Sequence, residues 1–334
     1  MILVTGGLGY IGSHFVVEAL LNRQEVVILD DLSNSRLSTL NGIFQITGIH
    51  PKFVQGSILD CSLVSSIFSE YKIDSVIHFA GLKSVSESVT RPLAYYQVNV
   101  VGTLNLLECM KAAEVFNLVF SSSATVYGDP ESVPITESFE TGVTTNPYGA
   151  SKHIVERVLL DIVASDDLWN IVVLRYFNPI GAHQSGIIGE LPNSTPANLL
   201  PYVLQVATGG YSHVNIYGSD YPTKDGTGVR DYIHVVDLVI GHLQALKFLG
   251  GNAGCNFFNL GTGVGYSVLE VIDAVKKVTK KPIAYSMVAR RAGDIAECFA
   301  DVKRAKDALS WTAKKSLDIM IADAWRWHLH SLTL

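Results

Sequence analysis

Tyr148 and Lys152 stand four residues apart in the stretch NPYGASKHIVERVLLDI, which begins at Asn146. Asn146 followed by Pro147 is a typical helix start, because asparagine caps helix N-termini and proline fits the first helical position. The spacing predicts a helix over 147–165 that carries the phenol and the ammonium on one face, one turn apart. Such a pair suits proton transfer, but it also occurs by chance on a solvated helix face.

As a base, Tyr148 needs a lowered pKa, because a free tyrosine has a pKa of about 10. Lowering it by about three units takes roughly 4 kcal/mol of differential interaction. A lysine cation and the positively charged ring of an oxidised nicotinamide would both favour the phenolate in a partly dehydrated pocket. Upstream, FSSSATVYG ends a predicted strand at Ser121, Ser122 and Ser123. A serine hydroxyl there could donate to a substrate oxygen, although serines are also common in turns.

A glycine-rich loop in VTGGLGYIG places Gly6, Gly9 and Gly12 between the first predicted strand and the first predicted helix. Glycines there let the backbone approach a pyrophosphate, which amide groups and the helix N-terminus bind. The second strand ends at Asp30, eighteen residues after Gly12. A carboxylate at that point accepts from the adenosine ribose hydroxyls and repels a 2′-phosphate, which favours NAD over NADP. The alternative role for this aspartate is a helix cap or turn.

Strands and helices alternate through the first half of the chain. Runs rich in Val, Ile, Leu and Phe predict six strands buried on both faces: ILVT, EVVILD, PKFVQG, DSVIHFAG, NLVFSS and NIVVLRYF. Helices are predicted at 10–22, with an apolar face of Ile11, Phe15, Ala19 and Leu20, and at 92–113, with one of Leu93, Val100, Leu104 and Leu107. This alternation predicts an α/β fold with a doubly wound parallel (Rossmann) sheet.

The amino-acid composition changes after Phe177, and residues 178–231 are rich in Gly, Pro, Asn, Ser and Tyr. A strand at CNFFNLGTG, a helix from Val268 and a final helix over 317–328 are predicted beyond it. We expect 1–177 and 232–261 to form a dinucleotide-binding domain. We expect 178–231 and 262–334 to form a smaller α/β substrate-binding lobe over the carboxyl edge of the sheet, where ligands bind in open α/β folds.

Composition excludes several classes of protein. Of 334 residues, 48% are hydrophobic and 17% charged, which is typical of a globular chain, and a net charge of −6 without a run of like charge argues against nucleic acid. The most apolar helical stretch, from Val235, carries Asp237 and His242 and is too short to span a membrane. The N-terminus lacks signal-peptide features, so we expect a cytoplasmic protein. Four separated cysteines without a Cys-x-x-Cys pair favour neither disulfides nor a metal site.

The glycine loop, the serine strand and Tyr-x-x-x-Lys, in this order, resemble the extended short-chain dehydrogenases/reductases over Met1 to about Asp323. Longer stretches are similar to the UDP-hexose 4-epimerases of that family: HFAGLKSVSESV, SSSATVYGD, NPYGASK, LRYFNPIGAH and YPTKDGTGVRDYIHVVDL. The resemblance implies transient oxidation of a UDP-hexose at C4, rotation of the 4-keto sugar and hydride return, with NAD tightly bound. It also implies a homodimer that pairs through the helices near 92–113 and 147–165. Alternatives are a 4-epimerase of UDP-uronic acids or pentoses and a non-catalytic NAD-binding regulator.

The same resemblance implies individual roles. Tyr148 would be the base, Lys152 would lower its pKa, and Ser123 would hydrogen-bond the reacting oxygen. The remaining positions that match cofactor contacts are Gly6, Gly9, Tyr10, Ile11, Gly12, Asp30, Asp31, Asn34, Ser35, Ser57, Ile58, Phe79, Ala80, Gly81, Lys83, Asn99 and Phe177. The positions that match nucleotide-sugar contacts are Asn178, Asn198, Leu199, Asn215, Tyr217, Arg230, Arg291, Asp294 and Cys298. Arginines suit that task because a guanidinium forks onto a diphosphate.

Departures from the family pattern bear on the reaction. Dehydratases of the family carry an Asp–Glu pair after the serine or threonine strand, whereas this chain has Ala124 and Thr125, which cannot exchange protons near neutral pH. Ser57 replaces an adenine-contacting aspartate, and Val98 replaces a polar residue before Asn99. Cys298 stands where some relatives have tyrosine.

The small side chain of Cys298 leaves room for an N-acetyl group at C2 of the sugar. We therefore expect activity on UDP-GalNAc and UDP-GlcNAc as well as on UDP-galactose and UDP-glucose. The alternative is that Cys298 is simply a small buried apolar residue.

Overall fold

The computed structural model describes residues 1–191, 196, 198–291 and 293–333. Its strands are β1 (Ile2–Thr5), β2 (Val26–Asp30), β3 (Lys52–Gln55), β4 (Ser75–His78), β5 (Asn117–Ser123), β6 (Asn170–Tyr176), β7 (Asn178–Ile180), β8 (Val214–Tyr217), β9 (Val229–His234), β10 (Gly254–Leu260), β11 (Gly265–Ser267), β12 (Tyr285–Val288) and β13 (Glu297–Cys298).

The helices are α1 (Tyr10–Leu21), α2 (Thr39–Thr47), α3 (Cys61–Glu70), α4 (Val85–Thr90), α5 (Pro92–Tyr95), α6 (Gly102–Ala112), α7 (Pro147–Ser165), α8 (Leu199–Ala207), α9 (Val235–Leu249), α10 (Val268–Thr279), α11 (Lys303–Leu309) and α12 (Leu317–Ser331). A π-helical segment, Tyr96–Val101, joins α5 to α6, and a 3-10 turn, Ala124–Tyr127, follows β5. No helix of the described residues is long and apolar enough to span a bilayer.

The main sheet has seven parallel strands in the order β10-β6-β5-β4-β1-β2-β3. The predicted doubly wound sheet is therefore confirmed, with all six predicted strands and the later strand at 254–260 in place. The strand order reverses between β1 and β4, the point at which such sheets bind ligands. The strands end on one edge, so their last residues are brought together there.

Both faces of this sheet are buried. Val4, Ile28 and Ile77 belong to one apolar cluster, which includes residues of α1 and α9. The alternate residues of the same strands, such as Leu3 and Val27, belong to another, which includes residues of α3, α6 and α7. Since successive side chains point to opposite faces, a strand covered on both sides is apolar throughout.

The later strands form smaller sheets. One has the order β11-β9-β13 with β7 added alongside β9, and β12 pairs with β8. Residues of α8, α10 and α12 share an apolar cluster with Ile180, Val214 and Tyr232 of these strands.

The prediction that Leu93 and Leu104 face the core is wrong. Leu93 is 82% exposed and Leu104 is 38% exposed, whereas Leu107 is buried and Val100 packs against the core. The π-helical segment between α5 and α6 explains the error, because its wider turn shifts the side-chain phase assumed from a regular helix.

Candidate active site

Tyr148, Lys152 and Ser123 meet at the carboxyl end of β5. The Asn146 side chain accepts a hydrogen bond from Gly149 N at 2.9 Å and starts α7 as predicted. This start places Tyr148 in the first turn of the helix, where its phenol forms a hydrogen bond with Ser123. One turn later, the buried Lys152 Nζ donates to the Ser121 carbonyl oxygen at 2.7 Å. The helix therefore delivers the phenol and the ammonium to the strand end that carries the serine.

The electrostatics of the pair depend mainly on burial. Burial raises the pKa of Tyr148 above its ordinary value of 10.0, and the hydrogen bond with Ser123 acts in the opposite direction. Burial lowers the pKa of Lys152 to about 8, while the Glu156 carboxylate opposes that effect. We expected Lys152 to lower the pKa of the phenol, but the dominant influence in the protein is dehydration, which raises it. Lys152 itself stays mostly protonated at neutral pH.

Asn99 connects the loop after β4 to α7. Its side-chain oxygen accepts from Leu82 N at 2.7 Å, and its amide donates to Leu82 O and to Ser151 Oγ, both at 3.0 Å. A Cβ at Gly81 would lie 3.0 Å from Asn99 Oδ1 and 3.8 Å from Lys152 Nζ. The backbone of this loop therefore passes directly beside the buried lysine.

The glycine loop between β1 and α1 is closely packed. Gly6 has φ +69°, and a Cβ there would lie 2.7 Å from Ala80 N. A Cβ at Gly12 would lie 2.2 Å from the Gly6 carbonyl oxygen. Helix α1 starts at Tyr10 after Gly9, which supplies no side-chain cap, so the first N–H groups of the helix are suited to an anion.

Asp30, buried at the end of β2, joins this loop to the next one. Its carboxylate accepts from Leu8 N at 2.9 Å, from Leu32 N at 3.0 Å and from Ser35 Oγ at 2.7 Å. Asp31 is exposed and accepts from Ser33 N and Oγ. A helix N-terminus for phosphate beside a carboxylate at the second strand end is a donor and acceptor set that fits a dinucleotide.

The other predicted cofactor positions lie along the same sheet edge. Lys83 pairs with Glu190 at 2.7 Å and lies over the ring of Tyr10. The Ser57 hydroxyl accepts from Leu59 N at 3.2 Å. The remaining members follow the ends of strands or begin a helix: Ile11 in α1, Asn34 after β2, Ile58 after β3, Phe79 after β4 and Phe177 after β6.

The predicted substrate positions that follow β6 lie on strands of the smaller sheets, at the start of α8 and between β12 and β13. Arg230 of β9 is in register with Cys298 of β13, and its guanidinium donates to Val229 O at 2.8 Å. Cys298 is buried in one apolar cluster with Ala124 and Phe177. Arg291 pairs with Asp294 at 3.0 Å and lies 4.5 Å from the centre of the Tyr217 ring.

Four further predicted substrate residues lie on β7, on β8 and at the start of α8. Asn178 begins β7 beside β9, and the exposed Asn215 lies on β8. Asn198 donates to Glu190 at 3.4 Å and precedes Leu199 at the start of α8. These substrate positions lie on elements that follow β6, and Glu190 joins Asn198 to Lys83, which lies over the ring of Tyr10 after the glycine loop.

The positions of the dehydratase acid pair carry no carboxylate. Ala124 is buried, and Thr125 donates to Ser123 Oγ through its N–H at 3.2 Å and through its hydroxyl at 3.0 Å. Thr125 therefore orients the serine, a contact that the sequence argument missed. The buried pair of Glu156 and Arg175 was not predicted either. Its signal in the sequence is the spacing of Glu156, which lies four residues after Lys152.

Comparisons with known proteins agree with this geometry. A family model described as GDP-mannose 4,6-dehydratase matches residues 3–324. The chain is 58% identical to a UDP-glucose 4-epimerase of Pasteurella multocida (strain Pm70), covering 98% of this chain and 96% of that relative.

Two solved structures are also similar. The UDP-glucose 4-epimerase of Stenotrophomonas maltophila, crystallised with NAD and formylated UDP-arabinopyranose, aligns with a TM-score of 0.97 and 48% identity over 99% of this chain and 98% of that one. The enzyme of Bifidobacterium longum, in complex with NAD+ and UDP, aligns with a TM-score of 0.96 and 49% identity, again over 99% and 98%.

Proposed function

This chain belongs to the GDP-mannose 4,6-dehydratase family and to its UDP-glucose 4-epimerase members, and we propose that the site described above interconverts UDP-galactose and UDP-glucose. The supporting observation is the meeting of Tyr148, Lys152 and Ser123 at the sheet edge, with Ala124 and Thr125 in place of an acid pair. Tyr148 and Ser123 can handle the proton of a sugar hydroxyl, whereas elimination of water would need a further acid and base.

NAD is the cofactor, and residues of the sheet edge would hold it where it would supply a hydride acceptor and donor for C4, so that the net reaction would be an inversion at C4. Tyr148 accepts the proton of the C4 hydroxyl and later gives it back. Ser123 donates to the same oxygen while charge develops on it. Burial keeps the proton on Tyr148, and the charge of Lys152 on the same helix face would favour its release.

We assign the two ligands to the two sets of elements. Residues 1–177 and 232–261 would hold NAD along the sheet edge, and 178–231 and 262–334 would hold the UDP-sugar. Arg230 and Arg291 would bind the diphosphate as forked cations. Few side chains need to grip the sugar itself, since a tight hold would block its rotation between the two hydride transfers.

Incubating the purified chain with UDP-galactose tests the proposal. We expect UDP-glucose to form until the two sugars reach equilibrium, without added cofactor if NAD copurifies. A product lighter by one water molecule would contradict the epimerase assignment, and no product would favour the non-catalytic regulator. Faster turnover of a UDP-pentose or a UDP-uronic acid would favour those alternative substrates.

Cys298 supports a wider substrate range. It is buried against Ala124, the neighbour of Ser123, and its partner in the strand register is Arg230. A thiol at this point takes less space than a phenol, so we propose that UDP-GalNAc and UDP-GlcNAc are also epimerised. Replacing Cys298 by tyrosine should remove turnover of the N-acetyl sugars and retain that of UDP-glucose. Full turnover of UDP-GlcNAc by Cys298→Tyr would contradict this part of the proposal.

We further propose that the protein is a cytoplasmic homodimer. Leu93 and Leu104 of the segment from α5 to α6, and Ile154 and Leu160 of α7, are large apolar side chains at least 38% exposed. Such side chains on neighbouring helices fit the pairing of a second copy. Light scattering should give twice the chain mass, and Leu104→Lys should shift it towards the monomer, whereas Leu329→Lys on α12 should not.

A further inference from the structure

Three consecutive serines of β5 contact three residues of α7 that are spaced one turn apart. Ser123 forms a hydrogen bond with Tyr148, and the Ser121 carbonyl oxygen accepts from Lys152 at 2.7 Å. The Ser122 hydroxyl donates to Glu156 Oε1 at 2.5 Å. Tyr148, Lys152 and Glu156 follow each other at intervals of four residues, so they form one row along the helix.

Glu156 is a buried carboxylate whose two oxygens are both bound by an arginine. It is 2% exposed, and Arg175 of β6 donates to both of its oxygens, from Nε at 3.0 Å and from Nη2 at 2.8 Å. The Arg175 guanidinium also lies against the rings of Tyr127 and Phe257, and it donates to Tyr127 Oη at 2.9 Å. A buried bidentate pair of this kind has one preferred geometry.

The charges around Lys152 come from several elements. Glu156 supplies a negative charge from the same helix. His78 faces the site from β4, and burial lowers its pKa to about 3, so it is neutral. Tyr176 faces Tyr148 and Ser121 from β6, and burial raises its pKa, so it is neutral as well. Arg175, which pairs with Glu156, brings a second cation from β6, so Glu156 is the anion of this set that acts on both Arg175 and Lys152.

We propose that Glu156, fixed by Arg175 and Ser122, is a positioning residue that keeps Lys152 charged on the helix face that also carries Tyr148. The inference rests on the proposed function, because it assigns a role in that same proton transfer. Without the carboxylate, burial alone would act on the ammonium, and Lys152 would lose its proton at a lower pH. A neutral lysine would no longer favour the phenolate.

The test is the pH profile of kcat for UDP-galactose, measured on the full-length holoenzyme. In the unmodified protein we expect activity to fall as the pH rises through about 8, where Lys152 loses its proton. In Glu156→Gln that alkaline limb should move down by about one pH unit, and kcat at pH 7.5 should fall about threefold. KM for UDP-galactose should change much less, because Glu156 does not contact the substrate.

Glu156→Gln leaves Arg175 buried without its partner and could fail to fold, so a second variant is needed. Glu156→Gln with Arg175→Met removes both charges, keeps the contact to Ser122 and should fold well. We expect the alkaline limb of its pH profile of kcat to stay at the lower pH seen in Glu156→Gln. Asp161→Asn, which breaks an exposed ion pair on the same helix, is the matched control and should leave the limb unchanged.

A folded double variant with the alkaline limb and kcat of the unmodified protein would overturn the inference and leave the ion pair with a structural role only. An unmodified chain that turns over no UDP-sugar would instead overturn the proposed function. NMR titration of ¹³C-labelled lysine separates the two failures, because it measures the protonation of Lys152 without turnover. An unchanged titration in the double variant would also contradict the inference.

Discussion

The proposed cofactor half of the site, in residues 1–177 and 232–261, and the proposed substrate half, in 178–231 and 262–334, are built differently. In the cofactor half, Asp30 and Asn99 are buried, and each makes three hydrogen bonds to neighbouring loops or to α7. In the substrate half, the Arg291 side chain is 53% exposed, and its ion-pair partner Asp294 lies only three residues away. One half is organised before any ligand binds, whereas the other keeps solvated cations that can adapt.

This difference suits a reaction in which one ligand stays and the other leaves. A rigid, buried site loses little conformational entropy on binding and holds its ligand for a long time. Exposed arginines bind a diphosphate by charge, and water competes for them, which allows release.

Tyr148→Phe removes the proposed proton carrier between the two halves. We expect kcat for UDP-galactose to fall about 10²- to 10⁴-fold, since this is the usual contribution of a positioned acid–base group. Bound NAD and the binding of UDP should remain, because neither depends on the phenolic proton. A kcat within tenfold of the unmodified protein would show that another group transfers the proton.

Gly12→Ala disturbs the rigid half. The added Cβ would lie 2.2 Å from the Gly6 carbonyl oxygen, so the loop must move. We expect the copurifying NAD to be lost and the free energy of unfolding to fall by about 1–3 kcal/mol. The absorbance of released cofactor and denaturant unfolding measure these changes. Gly251→Ala is the control, since a Cβ there meets no neighbouring atom, and retention of NAD by Gly12→Ala would contradict the argument.

Arg230→Gln disturbs the adaptable half. A charged hydrogen bond to a ligand is worth about 1.5–3 kcal/mol, so KM for UDP-galactose should rise about tenfold to a hundredfold. The bound NAD and the melting temperature should stay the same, because among the described residues the Arg230 guanidinium donates only to backbone carbonyls. Arg157→Gln, at a solvated position of α7, should change neither quantity. Loss of NAD in Arg230→Gln would contradict the separation of the two halves.

Mild acid should lower the free energy of unfolding through three buried histidines. Burial lowers the pKa of His14 and of His78 to about 3 and that of His242 to about 4. Below about pH 6.5 the unfolded chain binds protons that the native protein does not, so the free energy of unfolding decreases as the pH falls. Between pH 7 and 5.5 we expect a loss of about 1 kcal/mol per histidine, measured by urea unfolding. His213→Asn, which leaves these three buried histidines in place, is the control variant.

Much of the architecture follows from local patterns. The six apolar runs, the glycine loop and the helix start at Asn146 predict the sheet and α7, and the structure confirms them. Strand and helix periodicity is a local property, so a sequence displays it directly. The pattern failed at Leu93 and Leu104, which lie on either side of a π-helical segment that breaks the periodicity.

For the site, too, some features follow from the sequence and others only from the tertiary structure. That Tyr148 and Lys152 share a helix face, and that no acid pair follows Ser123, can be read from spacing and residue type alone. The raised pKa of Tyr148, the contact of Lys152 with Ser121 and the pairing of Glu156 with Arg175 required the tertiary structure. The physical reason is that burial and contacts between β5, β6 and α7 join residues far apart in the chain. Dehydration and charge therefore act on these side chains only once the sheet has assembled.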